Sequence, residues 1–116
     1  MVDFKKDIQA YYEKEEKIIK SLNVDELNEA MNALLEAYNK EATIYVFGNG
    51  GSSATASHMM VDFNKGACSK VEKRFRFVCL NDNIPTLMAI GNDIGFENVF
   101  YYQLENKLTK NDVILA

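Results

Sequence analysis

The sequence predicts an α/β protein, a parallel sheet with helical crossovers preceded by a helical hairpin. Three observations carry this reading. Apolar residues keep a helical period as far as Lys40. From Thr43 onward, short β-branched and aromatic runs alternate with helical stretches. The first such run, Tyr45-Val46-Phe47, ends in Gly48-Asn49-Gly50-Gly51, a bare backbone suited to a sharp strand-to-helix turn.

The elements follow in order. Phe4, Ile8, Tyr11, Tyr12, Ile18, Ile19 and Leu22 recur at helical spacing, with Lys and Glu between them. A second helix starts at Asn23, a capping residue with Glu26 at the third helical position and Leu22 and Leu27 placed as a staple. Its apolar face is Leu27, Ala30, Met31, Leu34, Leu35 and Tyr38. Residues 1–40 are therefore read as a helical hairpin and 41–116 as the α/β part. The hairpin's apolar stripe packs either on its own domain or against another subunit as an oligomer interface.

Thr43–Phe47, Phe75–Leu80 and Asp112–Ala116 read as buried parallel strands. Helices are expected over Ser52–Lys65, in a short piece after Pro85 and over Phe96–Leu108, with Gly66 ending the first. A three-stranded parallel sheet that stops within its third strand leaves an edge and a face uncovered. The chain is thus expected to be the N-terminal part of a longer fold, or to be completed by a partner.

Composition narrows the function. At 116 residues and 47% hydrophobic residues, the chain can bury a core, but a modest one. A net charge of -4 argues against a nucleic-acid binder, and Lys65, Lys70, Lys73, Arg74 and Arg76 read as a solvated loop. No apolar run reaches the roughly 18 residues of a membrane span. No signal peptide is visible, and Cys68 and Cys79 lack metal or disulfide spacing, so a cytoplasmic location is expected.

A strand turning through glycines into a helix can hold an anion, because the first helical N–H groups point outward. Ser52 and Ser53 add hydroxyls, and Ser52 can cap the helix. The dinucleotide pattern fails because Ser53 stands where its third glycine belongs, and the P-loop pattern fails for want of a lysine. On its residues alone the turn is either a ligand cradle or a tight turn without a ligand.

Longer context favours the cradle. GNGGSSATASHMMVDF, followed by LMAIGNDIGFENVF, resembles the sugar isomerase (SIS) domain and, within it, the phosphoheptose isomerases. The resemblance implies a three-layer α/β/α sandwich whose N-terminal helices assemble a homo-oligomer, a tetramer. It implies substrate contacts at Asn49, Gly50, Gly51 and Ser52, and again at Asn92 and Asp93. It implies zinc as cofactor, with His58 and Asp62 as ligands and Asp62 also as catalytic base. The family has Glu at the position of Asp62, one methylene longer. Its serine-rich phosphate loop and a later helix bearing Gln and His would follow Ala116.

The residues themselves also allow plainer readings. His58 and Asp62 share a helix face at i and i+4, which suits a surface ion pair as well as a metal. Asn92 and Asp93, expected in a loop, suit a turn as well as sugar hydroxyls. Two functions follow from the resemblance. One is aldose–ketose isomerisation of sedoheptulose 7-phosphate to a heptose phosphate. The other is a non-catalytic SIS module that binds a phosphosugar or a protein partner.

Overall fold

The computed structural model describes residues 2–116. Five helices and three strands run in the order α1 (Lys5–Lys20), α2 (Val24–Asn39), β1 (Ile44–Val46), α3 (Gly51–Val61), β2 (Phe77–Cys79), α4 (Ile84–Asp93), α5 (Tyr101–Leu104) and β3 (Val113–Leu115). The strands are shorter than their apolar runs, because only the three central residues of each complete the ladder. The residues fall into two compact units, up to Asn32 and from Ala33 onward. The division lies inside α2 because Leu34 and Ala37 already belong to the core around the sheet.

In the first unit, both expected helices form. Ser21 ends α1 by returning its hydroxyl to the Ile18 carbonyl at 2.7 Å. Asn23 then caps α2 as expected, its Oδ1 accepting from the Asp25 N–H at 3.0 Å and its Nδ2 donating to Glu26 at 2.9 Å. Among the described residues, α1 buries no side chain. Phe4, Ile8, Tyr11, Ile18, Ile19 and Leu22 are all exposed.

In the second unit the sheet is parallel, in the order β2-β1-β3. The chain passes from β1 to β2 on one side and then crosses back over β1 to β3 on the other, so β1 marks the point where strand order reverses. Ile44, Val46, Phe77 and Cys79 face Ala37, Ala42 and Ala56, and Met59, Met60 and Phe63 pack against this cluster. Tyr45, Val78 and Ile114 lie side by side on the other face. Burial of the Cys79 thiol pushes its pKa up, which keeps it protonated.

Three expectations are corrected. The helix after the glycines passes at Asp62 into a π-helical turn, Asp62–Ala67, so Gly66 lies inside that turn and does not end α3. Asn92 and Asp93 belong to the last turn of α4 and not to a loop. The helix ends at Gly95, whose φ of 129° continues no helix and whose N–H closes on the Ile90 carbonyl at 3.0 Å. The segment expected as a helix over Phe96–Leu108 is a 3₁₀ turn, Phe96–Asn98, followed by the single turn of α5.

Candidate functional site

The glycine loop leaves β1 at the carboxyl end of the sheet. Gly48 and Gly50 have different reasons to be there. A Cβ on Gly48 would lie 2.6 Å from the Cβ of Ser52, so the end of β1 touches the first turn of α3. Gly50 precedes α3 with φ 56° and ψ -125°, a conformation open in practice only to glycine. Gly51 has open space around it.

The polar groups of the loop divide into used and free. The N–H groups of Ser52 and Ser53 close turns on Asn49 and Gly50, each at 3.1 Å, and the Ser53 hydroxyl also returns to Gly50, at 2.7 Å. Ser53 therefore spends its hydroxyl proton within the loop. Ser52 does not cap the helix, because the cap position falls on Gly50. Among the described residues, the N–H groups of Asn49, Gly50 and Gly51 find no acceptor. Three free amides at a helix N-terminus favour an anion or several hydroxyl oxygens.

Two cavities flank the loop. One, of about 270 Å³, lies at the ends of β1 and β3 and is lined by Phe47, Ser52, Thr55, Met59 and Leu115. The other, of about 490 Å³, is lined by Asn49, Asn81, Asn92 and an apolar wall that includes Leu87, Met88 and Phe96. Asn49 and Asn92, 43 positions apart by number, thus meet at one cavity. Asp93 lies beside it, accepting from Asn92 Nδ2 at 2.7 Å.

His58 and Asp62 come together, with Nε2 and Oδ2 3.3 Å apart, and both side chains are exposed. They line neither cavity. The stripe of α3 toward the β1–β3 cleft is Ser52, Thr55, Ala56 and Met59, and His58 sits about a quarter turn round from it. The 3.3 Å separation matches the edge of a tetrahedron with metal bonds of about 2 Å, so the pair fits two positions of a zinc site. Among the described residues, no group of three His, Cys, Asp or Glu gathers there.

Sequence reasoning missed the loop after β2. Asn81 exchanges two hydrogen bonds with the backbone of Gly48, Asp82 accepts from Ser57 Oγ at 2.6 Å, and Asn83 caps α4 by accepting from the Thr86 N–H at 3.0 Å. Only the last had a local signal, an Asn two residues before a proline.

The comparisons with known proteins agree with this geometry. The SIS domain family profile matches residues 9–116. The phosphoheptose isomerase of Helicobacter pylori strain 26695 is 34% identical, over 100% of this chain and 60% of its own length. The structure of phosphoheptose isomerase GmhA from Neisseria gonorrhoeae superposes with a TM-score of 0.80 at 27% identity, covering 97% of this chain and 59% of that one. A phosphoheptose isomerase from Francisella tularensis superposes at 0.84, where 21% identity speaks for the fold alone. The chain spans about 60% of the length of these relatives. The matched residues include the glycine loop and Asn92-Asp93, and with this match over most of its length the chain belongs to the SIS domain family.

Proposed function

We propose that this chain carries part of the site of a cytoplasmic phosphosugar isomerase. The reaction is the aldose–ketose isomerisation of sedoheptulose 7-phosphate to a heptose phosphate. One observation carries the reading: three unpartnered amides, at Asn49, Gly50 and Gly51, stand where the strand order reverses, in a chain that aligns along its whole length with a phosphoheptose isomerase.

In this reading, Asn49, Gly50, Gly51 and Ser52 hold oxygens of the sugar phosphate, and Asn92 and Asp93 meet its hydroxyls from the far wall of the larger cavity. Isomerisation moves one proton between neighbouring carbons while the hydroxyl proton passes to the carbonyl oxygen. Asp62 is the carboxylate that takes and returns the carbon-bound proton. His58 and Asp62 supply two of the three or more ligands that zinc requires, the others coming from outside the described residues or from another subunit. A zinc ion bound there would polarise the carbonyl oxygen. The exposed apolar face of α1 supports assembly into a homo-oligomer, a tetramer in this reading.

A second reading, a non-catalytic module that binds a phosphosugar or a protein partner, draws support from the same pair. Asp62 is shorter than the family's Glu and, like His58, lies open to solvent. Turnover of sedoheptulose 7-phosphate by the complete protein separates the two. Asp62→Asn should lower it about 10²- to 10⁴-fold. Unchanged turnover in the variant moves the base elsewhere. Binding without turnover in the wild type establishes the second reading.

A further inference from the structure

We infer that Asn81 is the positioning residue of the glycine loop. Its side-chain amide acts as the last rung of the β1–β2 ladder. That ladder begins with the Ile44 N–H on the Arg76 carbonyl at 2.9 Å and reaches the Leu80 N–H on the Val46 carbonyl at 3.0 Å. In a parallel pair the next rung would join the Gly48 N–H to the Leu80 carbonyl. That carbonyl is already taken by Gln103 Nε2 at 3.1 Å. The chain turns away after Leu80, and the Asn81 side chain replaces the missing peptide. Its Oδ1 accepts from the Gly48 N–H at 3.0 Å, and its Nδ2 donates to the Gly48 carbonyl at 2.9 Å.

The consequence passes directly into the site. Gly48 is locked against Ser52, with no room for a Cβ between them. Holding Gly48 therefore holds the first turn of α3, and with it the direction of the free amides of Asn49, Gly50 and Gly51. Asp82 repeats the device further along α3 through Ser57. Two adjacent residues of one loop thus tie down both the start and the middle of the helix that carries His58. Asn81 is half-buried and also lines the larger cavity beside Asn49 and Asn92, so a shift there moves the ligand side of the loop.

The test compares wild type with Asn81→Ala in the complete protein. It uses amide hydrogen exchange, melting temperature and calorimetric binding of sedoheptulose 7-phosphate, the last resting on the function proposed above. Exchange at Gly48, and at Ser52 and Ser53 in the turns that follow it, should accelerate at least about tenfold while Leu80 in the ladder is unchanged, and affinity should fall about tenfold or more. A uniform rise in exchange with a lower melting temperature and intact affinity would make Asn81 merely structural and overturn the inference. Unchanged exchange at Gly48 would overturn it as well. If the wild type itself does not bind the phosphosugar, the functional reading fails, and exchange at Gly48, Ser52 and Ser53 alone decides the role of Asn81. Should the alanine variant not fold, Asn81→Asp keeps the shape and the acceptor for the Gly48 N–H but sets a charged oxygen against the Gly48 carbonyl, and the same readouts apply.

Discussion

The carboxylate of Asp112 accepts the backbone N–H of Thr43 at 2.7 Å, across 69 residues of chain, and so joins the approach to β1 to the start of β3. Its second oxygen accepts the Thr109 N–H, also at 2.7 Å. Burial alone would raise this carboxyl. The N–H groups of Thr109 and Thr43 outweigh burial and hold it below its usual value of 3.8.

A group held low in the folded state stabilises the fold while it is ionised. The Asp112 contribution is complete above pH 3.8 and is lost as pH falls through the lower folded value. Asp112→Asn should therefore cost about 1 kcal/mol at neutral pH, and the difference from wild type should shrink in acid. Urea unfolding at pH 7 and pH 3 measures both. A difference that stays constant with pH would assign the cost to shape and not to charge.

The glycines should rank by their different constraints. Gly48→Ala forces α3 away from β1 and should lower the melting temperature most, because the added carbon overlaps Ser52. At Gly50 a Cβ meets no neighbour, so the cost of Gly50→Val is chiefly backbone strain of roughly 1–3 kcal/mol. It should leave the fold standing and abolish phosphosugar binding. Gly51→Ala should be close to neutral for stability. Calorimetry showing wild-type affinity in Gly50→Val would remove the loop from the ligand site.

Ile18 and Ile19 lie exposed on α1. Replacing both with Glu should turn an oligomer into monomers without unfolding the sheet-containing unit. Light scattering of wild type and variant decides it, and a monomeric wild type would defeat the proposed assembly.

Asn64 closes the outer edge of β2. Its Nδ2 donates to the Phe77 carbonyl and its Oδ1 accepts the Phe77 N–H, both at 2.9 Å. Asn64→Ala should destabilise the fold by about 1–3 kcal/mol and leave an open strand edge that promotes aggregation. Equal stability and equal solubility would show that water replaces the amide at no cost.

Much of the architecture was decided locally and was legible in the sequence. The parallel strands follow from β-branched runs, the strand-to-helix turn from glycines, and the start of α2 from Asn23 and Glu26, because each of these signals acts within a few residues. The resemblance in the glycine and Asn-Asp segments also named most of the candidate site. What only the tertiary structure decided lies in long-range pairings of ordinary loop residues. Asn81 with Gly48, Asn64 with Phe77 and Asp112 with Thr43 carry no local signature, since Asn and Asp in a loop read first as turn formers. The same holds for His58 and Asp62. Helical spacing determined that they would meet, but the packing of Ala56 and Met59 against the sheet set the rotation of α3 and left the pair on its neighbouring, open face.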